Sequence, residues 1–398
     1  MIEQIKQRIE EVYEETVAIR RHLHMYPELS NEEQNTMTYI SEYLTGLGIP
    51  NTTNVGGHGV VGIIGDPKAA FAVGIRADID ALPIAEQTGL PYASTVPGVM
   101  HACGHDIHTA ILMGVAKVLK GMEDQLPGAV KLFFQPAEEK GGGARQMIAD
   151  GCMQDPPVKR VLGLHTDVSC AYDHVLFYPH QLNAISTSLR ITIRGRASHG
   201  ARPENGVDAI LTAGHVLTAL QSVVSRAVSP RKSAVVTVGT IQGGTKANII
   251  ADEVVMTGTI RTLDTETLDI IQKQIKQIVE NTAACFGGQA ETEIRMGYPA
   301  VMCDYDTTMV LKDLAEKALG PDSYTIKTEP GMGGEDFSYF ANEVPSAYFR
   351  LGILGENGGR PQTLHNEFLC PDERCMKTGM LMEVLGTLSL LEEEAAKV

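Results

Sequence analysis

Apolar positions along this chain follow two different periods. Near the start, Ile2, Ile5, Ile9 and Val12 recur at helical spacing and Pro27 closes the pattern, so a helix is predicted there. A second helix is predicted over about residues 32–47. Short apolar runs follow: GVVGIIG (59–65), AFAVGI (70–75), AVKLFF (129–134) and VLGL (161–164) each read as a buried strand. Helical segments at 109–122 and 144–149 lie between them. Strands alternating with helices predict an α/β domain with a mostly parallel sheet.

The texture changes near residue 184, where STSLRITIRG alternates like a half-buried strand. A helix is expected over 206–224, then the strands AVVTVGTIQG and EVVMTGTIRTL around a loop at GGTKAN, a helix over 266–284, and a closing strand in QAETEIRMGY. The order β-α-β-β-α-β is that of a ferredoxin-like α+β domain. Helices and strands resume from Thr307 and end in a helix over about 376–394. The expected organisation is therefore one α/β domain, residues 1–183 plus 296–398, interrupted by an α+β domain over 184–295.

Composition narrows the function classes. The 398 residues are 43% hydrophobic and 21% charged, an ordinary globular mix with ample core. A net charge of −16 repels phosphate backbones and argues against a nucleic-acid partner. An anionic substrate would need a local arginine or a bound metal. The seven cysteines show no framework spacing, which fits a reducing compartment. No basic and apolar leader opens the chain, and no membrane-length apolar run interrupts it; a cytoplasmic protein without a membrane partner is expected.

Candidate chemistry gathers just beyond the predicted strands. MHACGHDIHTA places Cys103 and His105 two apart, a soft thiolate and an imidazole suited to a borderline metal such as zinc, although Cys-Gly-His is also a plausible tight turn. In FFQPAEEKGGG, Glu138 and Glu139 follow an apolar strand, where α/β sheets bind ligands. One such carboxylate can hold a metal while its neighbour moves protons. His165 follows VLGL, with Asp167 near enough to orient its ring, and His365 lies in a polar loop before the last helix. Cys103, His105, Glu139, His165 and His365 exceed one tetrahedral site and suit two metals that share a ligand, with the thiolate of Cys103 as the bridge. Asp78 and Asp80, in IRADIDALPI, either cap a strand end or accept from a ligand histidine.

RRHLHMYPELS, IRADIDALPI, MHACGHDIHTA, FQPAEE, GLHTDV, ASHGARPENGVDAI, NIIADEVVMTGTIRT, GGEDFSYF and LHNEFL occur in this order, from about residue 15 to 375. Together they resemble the aminoacylase, hippurate hydrolase and indole-acetyl-amino-acid hydrolase group of dinuclear metallo-amidohydrolases, related to the carboxypeptidase-G type peptidases. The resemblance implies a catalytic domain with an inserted lid that also dimerises. It implies that Cys103 bridges, that Glu139 and His365 hold one metal, and that His105 and His165 hold the other. Glu138 matches the general base, His199 a histidine that polarises the scissile carbonyl in its own or a neighbouring subunit, and Asn248 and Arg261 the positions that bind the substrate carboxylate. Asp78 is assigned a supporting contact to a ligand histidine, and Arg76 stands where distant branches have a metal-binding histidine. His101 and His108 become supporting residues, with Asp106 a further partner.

The implied reaction is hydrolysis of N-acyl-L-amino acids with two divalent metal ions per subunit, zinc first, then manganese, cobalt or nickel. The expected partners are that small molecule and a second or further copy of the chain. A cysteine hydrolase using Cys103 with His105 or His165 competes, but leaves Glu138, Glu139 and His365 without a task. A metal carrier without catalysis is the third reading.

Overall fold

A computed structural model of the chain describes residues 1–355 and 363–397, which form two compact units. The first comprises Met1–Leu182, Val301–Glu329 and the chain from Asp336 on; the second comprises Asn183–Ala300 and Pro330–Glu335.

Helix α1 (Ile2–Met25) buries Ile5, Ile9, Val12, Ile19 and Leu23 on one face and stops just before Pro27. Helix α2 (Gln34–Gly46) follows. Strands β1 (Asn51–Val55), β2 (Gly59–Ile64) and β3 (Ala72–Asp78) lead to α3 (His105–Lys120). Then come β4 (Ala129–Gln135), α4 (Gly143–Ala149), β5 (Val158–Ala171) and β6 (Val175–Phe177). The second unit carries β7 (Ile185–Arg194), β8 (Ser198–His199), α5 (Ala209–Ser222), β9 (Ala234–Gly243), β10 (Ile249–Ile250), β11 (Glu253–Thr262), α6 (Thr265–Cys285) and β12 (Gln289–Met296). The first unit resumes with α7 (Tyr305–Leu319), β13 (Tyr324–Ile326), α8 (Ser338–Glu343), β14 (Ser346–Leu354) and α9 (Cys375–Ala395).

The first unit is built on an eight-stranded sheet in the order β1-β2-β4-β3-β5-β14-β6-β13. Its centre, β4-β3-β5-β14, is parallel, while β2 joins β4 and β6 joins β14 antiparallel. Every residue of β3 and β4 is buried, as expected of strands covered on both faces. Fold class and central strands agree with the sequence pattern. The sheet edges do not read from it: β1, NTTNV, lacks an apolar signal and is held by pairing with β2.

In the second unit the sheet order is β12-β7-β11-β9, all antiparallel, which is the ferredoxin-like arrangement. Helix α6 buries Leu268, Ile271, Ile275, Val279 and Ala283 at helical spacing, and the Asp264 side chain caps it by accepting the Thr267 N–H at 2.8 Å. Strands β8 and β10 form a separate two-stranded ladder that pairs His199 with Ile249.

Candidate metal centre

The parallel strands end in polar residues on one side of the first unit. β3 delivers Arg76, Asp78 and, just beyond, Asp80; β4 leads to Glu138 and Glu139; β5 carries His165. Helix α3 begins at His105, earlier than its apolar pattern predicts. Its first turn is polar yet buried, and the neighbours that hold it are distant in sequence. Arg20 and His24 of α1 each reach Asp106 Oδ2 at 2.8 Å, and the Thr109 hydroxyl donates to the Asp78 carbonyl at 2.8 Å. Burial alone would raise the Asp106 carboxyl, but the Arg20 guanidinium and His24 hold it far below the usual range. Gly104, at φ +93°, caps the helix; a Cβ there would lie 2.6 Å from the Thr166 hydroxyl.

Two donor triplets result: Cys103, His105 and His165, and Cys103, Glu139 and His365, with the donor atoms of each set within 4.8 Å of one another. Cys103 belongs to both. Its Sγ lies 3.4 Å from His165 Nε2. His365 Nε2 lies 3.1 Å from Glu139 Oε1, and the contact with this carboxylate raises the His365 pKa. Two donors drawn this close also fit a site where both reach one cation. Glu138, Glu139 and His105 also fall within 4.8 Å, which sets the buried Glu138 beside both triplets. His365 is joined to Cys103 through the backbone, since its N–H donates to the Ala102 carbonyl at 2.7 Å.

Ring orientation follows from contacts on the far nitrogens. His105 Nδ1 lies 2.8 Å from the Asp80 carbonyl and 3.2 Å from Asp80 Oδ1, leaving the buried Nε2 without a hydrogen-bond partner among the described residues. His165 Nδ1 lies 2.8 Å from the Thr166 carbonyl, so its Nε2 lone pair faces Cys103. The backbone, not Asp167, holds this ring; the Asp167 carboxylate turns to Ser169 N at 2.7 Å. Asp80, not the Asp78 assigned from the sequence, makes the contact to His105. Asp78 instead meets His108 Nδ1 at 2.6 Å and Arg76 at 2.7 Å.

Asp78, His105 and His108 form a further metal-capable group, but Arg76 and His108 already engage both oxygens of Asp78. The Arg76 guanidinium is wholly buried and also donates to Gln135, Tyr348 and Asp336 at 2.7, 3.1 and 2.8 Å. It has no lone pair to offer a metal, so it acts here as a fixed cation.

The two candidate imidazoles of one triplet are shifted in opposite directions. Burial disfavours a charged His105, but Asp78, Cys103 and Asp80 outweigh it and raise that imidazole well above its ordinary range. Burial, with Arg350 and His108, lowers His165 well below its ordinary range, keeping it a neutral imidazole. Burial pushes the Cys103 thiol up to about 12, so a thiolate there needs a cation beside it. A divalent metal fits this donor set.

The other predicted residues lie in the second unit. His199 is exposed, and its Nδ1 accepts the Ala201 N–H at 3.0 Å, which leaves Nε2–H as the donor of the neutral ring. Asn248 is exposed, and its carbonyl accepts the Gly200 N–H at 2.8 Å, tying it to the His199 ladder. Arg261, on β11, is half-buried; its Nη1 has no hydrogen-bond partner among the described residues, and burial lowers its pKa.

Residues 74–385 match the family model of peptidase family M20/M25/M40. This chain belongs to that family. An N-acetyl-L-cysteine deacetylase of Bacillus subtilis (strain 168) is 40% identical over 341 residues, 86% of this chain and 81% of that protein. An IAA-amino acid hydrolase of Arabidopsis thaliana is 34% identical over 385 residues, 96% of this chain and 87% of that one. The crystal structure of a dinuclear metal-binding M20 peptidase from Bacillus subtilis superposes with a TM-score of 0.81 at 31% identity, covering 96% of this chain and 99% of that chain. As an M20 member with amidohydrolase relatives, this chain is a hydrolase acting on amide bonds.

Proposed function

We propose that this chain cleaves N-acyl-L-amino acids to a carboxylic acid and a free amino acid. The observation that carries the reading is Cys103, shared by two donor triplets with the buried Glu138 alongside. Relatives named for N-acetyl-L-cysteine and IAA-amino acids support the substrate class. Two divalent ions per subunit, zinc first and manganese, cobalt or nickel next, would supply a water of lowered pKa and a polarised scissile carbonyl. Cys103, Glu139 and His365 would hold one, and Cys103, His105 and His165 the other. Glu138 takes the proton of the attacking water and passes it to the leaving amine. His199 directs Nε2–H at the developing oxyanion, in its own or a neighbouring subunit. Asn248 and Arg261 hold the substrate carboxylate; the unpartnered Nη1 of Arg261 supports that role.

The second unit also offers a surface for a second copy. Ile210 and Leu211 of α5 are 52% and 49% exposed, and edge strand β9 leaves Val235 and Ile241 41% and 52% exposed. A homodimer or higher oligomer through this unit is the proposed assembly. No helix among the described residues is long and apolar enough to cross a membrane, and all seven cysteines are free, in keeping with a reducing cytoplasm. The competing cysteine-nucleophile reading is disfavoured, because it leaves Glu138, Glu139 and His365 without a task, although all three belong to the same donor groups as Cys103 or His105.

The test is a panel of N-acyl amino acids assayed for kcat/KM after metal removal and after addition of zinc, manganese, cobalt or nickel. Turnover lost to a chelator and restored by metal is expected. Turnover that survives complete metal removal, or no turnover on any panel member, overturns the proposal.

A further inference from the structure

Glu138 and Glu139 leave β4 through a turn that the backbone would not adopt unaided. Ala137, between the strand and the two carboxylates, has φ +53°, in the left-handed region that disfavours residues with a Cβ. Such a conformation persists only where surrounding contacts impose it.

Those contacts come from the link between α1 and α2. Glu33 Oε1 accepts the Ala137 N–H at 2.8 Å, across 104 residues of sequence. Asn31 Nδ2 donates to the Lys140 carbonyl at 2.9 Å. The Ser30 hydroxyl donates to Asp80 Oδ2 at 2.6 Å, and that same oxygen accepts the Glu139 N–H at 3.0 Å. Backbone groups of 137, 139 and 140 are thus gripped on both sides of Glu138.

Glu33 has no other evident task. It stands at the N-cap of α2 but makes no side-chain cap bond; Glu28 instead accepts the Asn35 and Thr36 N–H groups at 3.1 and 2.8 Å. It forms no ion pair among the described residues, its Oε2 has no hydrogen-bond partner, and it is 0% exposed. A buried acid without a cation is unfavourable, and burial pushes this one up to about 7. Its bond to the Ala137 N–H holds the strained turn.

We propose that Glu33, assisted by Ser30 and Asn31, is a positioning residue: it locks Ala137 in the left-handed turn so that Glu138 and Glu139 project side by side, one toward the water and the other toward the metal. This rests on the proposed roles of those two glutamates.

The test uses the full chain loaded with zinc and three variants, Glu33→Leu, Glu33→Gln and Asn31→Ala. Readouts are kcat and KM on the best N-acetyl-L-amino acid, zinc affinity by chelator competition, and amide exchange. Glu33→Leu is expected to lower kcat about 10²-fold with KM changed less than about threefold. It should also weaken zinc about tenfold and speed exchange at Ala137, with α2 still protected. Glu33→Gln keeps an acceptor oxygen and should retain kcat within about fivefold. Asn31→Ala, on an exposed residue, should lower kcat by about threefold to tenfold.

Wild-type kcat and zinc affinity in a folded Glu33→Leu overturn the proposal, as does a Gln variant no better than Leu. If Glu33→Leu does not fold, Asn31→Ala decides, and no change in either readout overturns it. If the wild type cleaves no N-acyl amino acid, the functional reading fails on its own; zinc affinity and Ala137 exchange still test the role of Glu33.

Discussion

The candidate residues of the two units are held in opposite ways. In the first unit most are buried and gripped, with Glu139 half-buried and His365 exposed. His105 rests on Asp80, His165 on the Thr166 carbonyl, Asp106 between Arg20 and His24, and Asp78 between Arg76 and His108. In the second unit, His199 and Asn248 are exposed and Arg261 keeps an unpartnered nitrogen. Buried charges need partners at all times, so a metal centre must be prepared before its ion arrives. Groups proposed to meet only a transient substrate have no such need. The contrast predicts that changes in the first unit alter metal binding or proton transfer, whereas changes in the second alter substrate handling alone.

The largest expected effect is that of Glu138→Gln, which removes the proton carrier and spares the metal donors. kcat should fall about 10²- to 10⁴-fold with metal content unchanged by elemental analysis. Wild-type turnover in this variant would remove Glu138 from the reaction. Next, His199→Ala should lower kcat about 10²- to 10³-fold, again with full metal content. Loss of metal here would erase the division between the units. Arg261→Ala comes third: KM should rise roughly tenfold to a hundredfold with kcat nearly constant, the cost of one charge-assisted contact. A change confined to kcat would contradict its assignment to the substrate carboxylate.

The smallest effect concerns an exception inside the first unit. Glu383 of α9 is buried, its Oε2 has no partner, and burial alone raises its pKa well above the ordinary carboxyl range. Its folded form stays protonated while the unfolded chain ionises. The associated stability is therefore present below the unfolded carboxyl pKa and lost as pH rises toward the folded one. Glu383→Gln should raise Tm by about 2 °C at pH 8 and leave it nearly unchanged at pH 4. An equal shift at both pH values would mean that packing, not ionisation, is responsible.

Several candidate donors were legible from local signals, although His365, alone in a polar loop, carries none. Glu138 and Glu139 follow the apolar strand β4, His165 follows the apolar run VLGL inside β5, and Cys103 precedes α3 while His105 opens it. The second sheet was legible from its alternation. What escaped is held by distant partners. The first turn of α3 looks like a polar loop until Arg20, His24 and Asp78 are brought to it. The choice of Asp80 for His105 depends on the strand's exit direction, which residue spacing alone does not encode. Glu33 gives little local sign, since its bond to Ala137 spans 104 residues. Its identity as a glutamate outside the capping role is the only hint, and that hint needs the helix boundary.

Strand β14 lies between β5 and β6 in the large sheet, although its residues, Ser346–Leu354, come long after both. A ribosome therefore releases Cys103, His105, Glu139 and His165 while the slot for β14 is still open. The whole second unit is made in the interval, and it can form its own core during that wait. His365 emerges later still. The proposed donor set thus stays incomplete on the nascent chain until His365 is delivered, and a product truncated before β14 would carry most of those residues without the strand that joins β5 to β6.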